Sequence, residues 1–181
     1  MTAQIPDSIS FGHTTYSITG IRGVGMFHPI ELGIRPAPRI TSCWRGFVCR
    51  YAIPDHRLIL DFLLLNVTDP APSIFGASPS PPEGGAPFEA QYSRLGHQVG
   101  FTGRVLAGHD FIHELYVHMG FHPAWKYREV HYFEFSDGLL TSHRDRSHEA
   151  EQFRIKVRKQ PDLGKLSIED SFMLGLDPWA S

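Results

Sequence analysis

Fourteen prolines and 17 glycines are spread along the 181 residues of this chain, and they restrict it to short elements. Proline removes a backbone donor and glycine loses the most conformational freedom on folding, so neither suits a long helix or an unbroken ladder. Between these breaks, several runs alternate apolar and polar residues, the period of a strand with one buried face. Thirteen Phe and 41% hydrophobic content are enough to fill a core. The expected class is α+β, mainly β. It would be a curved antiparallel sheet or open barrel in a single domain over 1–181, with one helix packed on it.

Residues 8–21, SISFGHTTYSITGI, carry the Thr, Tyr and Ile that favour strands. TSCWRGFVCRYAI (41–53) and LILDFLLLNV (58–67) flank the turn chemistry of Pro54-Asp55-His56 and are expected to pair as a hairpin. Residues 99–107 and 128–135 read as further strands, and Ser136-Asp137-Gly138 before LLTSH is a hairpin signal. FRIKVRK (153–159) alternates apolar and basic residues and predicts a half-exposed strand. Ser167 opens an S-x-x-D pattern before a short C-terminal helix candidate.

The helix is expected at about 110–119. Asp110 is a good N-cap, Gly120 stands where helices end, and Pro123 follows. On a helical projection Phe111, Ile112, Leu115, Tyr116 and Met119 form one arc, opposite His113, Glu114 and His118. Residues 69–87, DPAPSIFGASPSPPEGGAP, cannot sustain either ladder or helix and are expected to be an exposed loop or linker. A sharper alternative is a lid with Ile74 and Phe75 as its apolar tip.

A formal charge of −2 gives no general attraction to nucleic acid or anionic lipid. The local basic stripe Arg154, Lys156, Arg158 and Lys159 is what a soluble edge strand carries against aggregation. If extended, the segment from Cys43 to Cys49 holds the two thiols roughly 20 Å apart at ~3.3 Å per residue, beyond disulfide reach. The N-terminus has no basic segment followed by an apolar run. The apolar run 58–67 is interrupted by Asp61 and Asn66 and is too short for a bilayer. The expectation is a cytoplasmic protein with no membrane or nucleic-acid partner.

Eight of the 11 histidines lie between His97 and His148, in the most aromatic part of the chain. Imidazole titrates near neutrality, so it can bind metal or move protons. No His-x-His pair occurs, and the H-E-x-x-H pattern is missed by one residue at His113-Glu114. On a helix, Glu114 and His118 would share a face, which leaves a metalloprotein as a third reading. The first reading is a small-molecule-binding β-rich protein, with a cofactor-independent cyclase or isomerase as its enzymatic form. His113, His118, His131 and Glu134 would supply acid–base chemistry, and Arg45, Trp125 and Tyr127 would contact the ligand. The second reading is a non-enzymatic protein-binding module of immunity or adaptor type, with Trp125, Tyr127 and Arg128 as interface anchors.

Overall fold

Alternation within the runs decides most of the architecture. The computed structural model describes residues 2–162 and contains eight strands. They are β1 (Ser8–Phe11), β2 (Thr14–Val24), β3 (Phe47–Ala52), β4 (Ile59–Leu65), β5 (Ala90–Gln98), β6 (Thr102–Phe111), β7 (Tyr127–Ser136) and β8 (Leu139–Asp145). They form one sheet in the order β5-β4-β3-β1-β2-β6-β7-β8. Every neighbouring pair is antiparallel except β1 with β3, which run parallel, so the sheet is mixed rather than purely antiparallel. That parallel pair arises because residues 25–46 cross over and return the chain beside β1.

The sheet curls without closing. At one end the Asp137-Gly138 turn reaches the start of β4, where Leu58 N–H donates to the Gly138 carbonyl at 2.8 Å and Arg57 bridges Leu139. The concave face holds the main core, with Ile9, Tyr16, Cys49, Tyr51, Leu63, Tyr92, Phe101, Val105 and Phe133 all buried. On the convex face, Leu106, Val130 and Tyr132 of β6 and β7 pack with Trp125, Tyr127, Ala150 and Phe153. A smaller convex cluster joins Cys43, Val48, Leu64 and Phe88. Both cysteines are free and buried.

The expected helix exists, but in another segment. The only α-helix among the described residues is α1 (Ser147–Lys159), which presents Ala150, Phe153 and Val157 to the convex face. These fall at i, i+3 and i+7, a helical stripe that outweighs the strand-like alternation of 153–159. Residues 110–119 are not helical. β6 continues through Phe111, which pairs with Tyr127, and one 3-10 turn follows at His113–Leu115. Asp110 lies at φ +56° rather than in the extended conformation of an N-cap. Pairing with β7 therefore overrides the local helical period.

The hairpin of 41–53 with 58–67 is present as β3 and β4, and the Asp-Gly hairpin as β7 and β8. β5 was not anticipated; its Gly96 and exposed Arg94 interrupt the pattern. The segment 69–87 is mostly exposed and joins β4 to β5 within the same sheet. Ile74 in it is buried in the main core. The C-terminal helix candidate at Ser167 lies outside the described residues.

Candidate functional site

At the end of the concave face opposite the Asp137-Gly138 turn, His109 and His131 flank Tyr16, and His143 joins them through His131. From His131 on, the odd positions of β7 point inward, so His131 lies on the same side as Phe133 and Phe135. The β7–β8 register sets His143 opposite Phe133 and Asp145 opposite His131. His131 Nδ1 and His143 Nε2 are 2.7 Å apart in a hydrogen bond, and the two rings stack at 4.9 Å with 8° between planes. From the other side of the opening, Tyr16 of β2 packs on His131 at 4.7 Å and Phe11 of β1 packs on His143 at 4.6 Å. β1 and β8 therefore meet across the mouth although β2, β6 and β7 separate them in the sheet. Phe133 and Phe11 form the apolar floor, 5.4 Å apart edge to face.

His109 of β6 completes the rim. Its Nδ1 lies 3.0 Å from the Thr15 carbonyl, and because a carbonyl only accepts, that nitrogen carries the proton. The His109 ring stands edge-on to Tyr16 at 5.8 Å. Asp145 accepts from the Ser147 N–H at 2.8 Å.

The electrostatics divide the rim into acid and base. Burial, then the adjacent His131, hold His143 below the usual histidine value, against an opposing pull from Asp145. Burial pushes the Tyr16 phenol up against the opposing pull of a side-chain hydrogen bond with Thr14, and the charges of Glu129 and Asp145 add to the rise. The Ser147 hydroxyl and N–H, with the two histidines, keep Asp145 below the ordinary aspartate value. Near neutral pH the rim thus presents an uncharged imidazole base, an un-ionised phenol and a carboxylate. Within the pair one imidazole donates and the other accepts. The outer nitrogens, His131 Nε2 and His143 Nδ1, have no further protein partner among the described residues.

The structure does not bring the residues expected from sequence into one site. His131 belongs to the rim. Glu134 is on the opposite face of β7, 3.6 Å from Arg104 of β6. His113 and His118 are exposed on the segment that was expected to be helical, their rings against Phe111 and Tyr116. Glu114 is in a single 3-10 turn and His118 follows in irregular chain, so the i, i+4 spacing behind the metal reading does not exist. Among the described residues no group of three or more His, Cys, Asp or Glu is placed to hold a metal ion.

Arg45 is committed elsewhere, gripping Asp7 at 2.7 and 2.9 Å beside a small apolar hollow of about 210 Å³ lined by Ile18, Ile21 and Phe121. Trp125 and Tyr127 are buried, 5% and 6% exposed, and serve as core beneath α1 rather than as exposed anchors. Trp125 also floors a groove of about 420 Å³ between α1 and Ile112–Leu115, where Arg128 and Arg154 alternate with Glu114 and Glu151.

Sequence reasoning singled out His131 and missed Tyr16, His109 and the pairing of His143. The available signal was the Asp-Gly turn, which folds residues 139–145 back along 127–136. The contribution of β1 and β2 is a long-range consequence of sheet curvature. No helix among the described residues is long and apolar enough to cross a membrane. Searches among protein-family profiles, curated proteins and solved structures return no match to this chain.

Proposed function

We propose that this protein binds a small organic molecule at the mouth of its open barrel and moves a proton on it, as a cyclase or isomerase does. The observation that carries this reading is the 2.7 Å His131–His143 hydrogen bond packed against Tyr16. A neutral imidazole with a fixed neighbour is suited to take a proton, and an un-ionised phenol is suited to give one. The substrate class is an enolisable carbonyl compound: His143 removes the proton next to the carbonyl, and Tyr16 donates to the oxygen that gains charge. Half-buried Phe11, backed by the fully buried Phe133, supplies the apolar surface against which such a ligand lies. The reaction needs no cofactor, because both the proton acceptor and donor are side chains.

The test is hydrogen–deuterium exchange in D2O, followed by proton NMR, on cyclohexanone and 2-hydroxyacetophenone. Wild-type protein should accelerate exchange next to the carbonyl, and His143→Gln and Tyr16→Phe should each abolish most of it. No acceleration by the wild type, together with unmoved His131 and His143 resonances at millimolar compound, removes the reading.

A further inference from the structure

Three arginines share the groove between α1 and residues 112–115. On α1, Ala150, Phe153 and Val157 pack on the sheet. Glu151, Arg154 and Arg158 follow one another along the adjacent edge, at helical spacings of three and four. Arg128 of β7 reaches the same space of about 420 Å³. Trp125 floors it, and Ile112, Leu115 and Ile155 give it apolar sides. Ile155 is 38% exposed, so this apolar lining is open to a molecule in solution.

Arg154 is held rigidly in that lining. Its Nη1 donates to the Trp125 carbonyl at 3.0 Å and to the Tyr127 carbonyl at 2.7 Å, which uses both Nη1 hydrogens and orients the guanidinium plane. A guanidinium carries five N–H donors, so the one on Nε and the two on Nη2 remain, without an acceptor among the described residues. The Nε and Nη2 donors lie side by side and form the planar fork that grips both oxygens of a carboxylate. No carboxylate of the described residues takes it. Arg128 is paired with Asp110 at 3.2 Å, whereas Arg154 and Arg158 form no ion pair among the described residues.

Glu114 and Glu151 line the same groove, but both are exposed, where water and salt screen them more than they screen half-buried Arg154. Burial lowers the Arg154 value, Glu151 opposes that, and Arg128 and Arg158 add to the fall. Like charges gathered at a half-buried spot repel, and a bound anion removes that cost. A purely structural Arg154 would account for the two carbonyl bonds. It accounts for neither the unused fork nor the open apolar groove beside it.

We propose that this groove binds a small monocarboxylate with an apolar tail, the class of a medium-chain fatty acid. The carboxylate takes the Nε and Nη2 fork of Arg154, with Arg158 as the second cation, and the tail lies along Trp125, Leu115 and Ile155. Binding makes and breaks no covalent bond. The site is separate from the histidine rim and does not depend on chemistry there.

Nitrogen-15 NMR titration of the full chain at low ionic strength tests this through two signals of the site itself, the Trp125 indole N–H and the Arg154 Nε–H. Sodium octanoate should shift both to saturation. Octan-1-ol keeps the tail without the charge and acetate keeps the head without the tail; each should bind about tenfold more weakly, the worth of a charge-assisted pair or of the apolar contact. Unmoved signals at millimolar octanoate, or octan-1-ol binding as tightly as octanoate, overturn the proposal. Arg154→Lys keeps the charge but loses the fork and should weaken octanoate about fivefold. Ile155→Glu sets a like charge at an exposed position in the groove, which folding tolerates, and should weaken it about tenfold. Lys156→Gln removes an exposed charge of α1 outside the groove and should change affinity less than about twofold. A loss in Lys156→Gln equal to those in the groove variants would mean general attraction to a basic helix, and the site would fall.

Discussion

Asp7 and Arg45, 38 residues apart, face each other in a two-pronged ion pair of 2.7 and 2.9 Å. The Cys49 N–H adds a third hydrogen bond to the same carboxylate at 2.7 Å. Through its main chain, Asp7 also accepts from Ile18 N–H at 2.8 Å. One carboxylate thus fastens the lead into β1, the lead into β3 and the middle of β3 at the parallel join, a place where no tight turn can fix the register. The guanidinium is further held over Phe47 at 4.9 Å and Phe121 at 5.7 Å.

Asp7→Ala should therefore destabilise the fold by about 2 kcal/mol, less than for a fully buried pair because the Arg45 side chain is a third exposed. Arg45→Lys should cost about 1–2 kcal/mol, because an ammonium cannot reproduce the planar fork. Equilibrium urea unfolding measures both. A loss below about 1 kcal/mol for Asp7→Ala would show that the strand pairing holds itself without the clamp.

Gly108 on β6 is required by Tyr127. A Cβ built at Gly108 meets the Tyr127 ring at 2.4 Å, and Gly108 has no positive φ to explain its choice. The ring, 6% exposed, lies across the glycine on the convex face. Gly108→Ala should cost about 1–3 kcal/mol through overpacking. Combining it with Tyr127→Leu should be less destabilising than the sum of the two single changes, because the clash disappears with the ring. Additive losses in a denaturation double-mutant cycle would refute the contact.

The strands with strict alternation were legible because each residue there reports its own face. β7 is the clearest case: Val130 and Tyr132 go to the convex cluster, Phe133 and Phe135 to the concave core. The helix was misplaced because two periods compete in short windows. Phe111, Leu115 and Met119 satisfy a helical arc, yet Met119 is exposed, and Phe111 is claimed by its partner Tyr127 across β6 and β7. In 153–159 the alternation of Phe153, Ile155 and Val157 suggests a strand. Only Ala150, outside that window, reveals the stripe Ala150, Phe153, Val157. The rim was half legible for the same reason. A hairpin turn brings His143 to His131 locally, whereas Tyr16 and Phe11 arrive through curvature of the whole sheet, which no local pattern encodes.

The proline-rich crossing between β4 and β5 is pegged into the core. Ile74, 1% exposed, closes a tight turn with Ala77 through reciprocal hydrogen bonds of 2.9 Å. The Tyr92 hydroxyl donates to the Pro72 carbonyl at 2.6 Å, and Phe75 stacks on His97 at 3.6 Å. Ile74→Ala should cost about 3 kcal/mol, as for any fully buried aliphatic residue. Substitution at exposed Ser78 should change stability by less than about 0.5 kcal/mol. Urea unfolding of the two variants separates a structural plug from a passive linker. A near-neutral Ile74→Ala would support the linker.

Acid should loosen this protein before its carboxylates begin to protonate. His97, His122 and His143 are each held below the ordinary histidine value by burial, so each binds its proton more tightly in the unfolded chain. Their contribution to stability is complete above about pH 6.5, the unfolded imidazole value. It is lost progressively as the pH falls below that point. Asp145 acts in the same direction but only in stronger acid: its value is depressed, so its stabilisation persists until the pH drops below the ordinary carboxylate range. The urea midpoint should be level from about pH 8 to 7 and fall between about pH 6.5 and 5. His143→Gln should reduce the slope, because glutamine cannot take up the proton. A flat profile across that interval, or an undiminished slope in His143→Gln, would mean that His143 accepts its proton in the folded state as readily as in the unfolded chain, and the rim would then lack its neutral base.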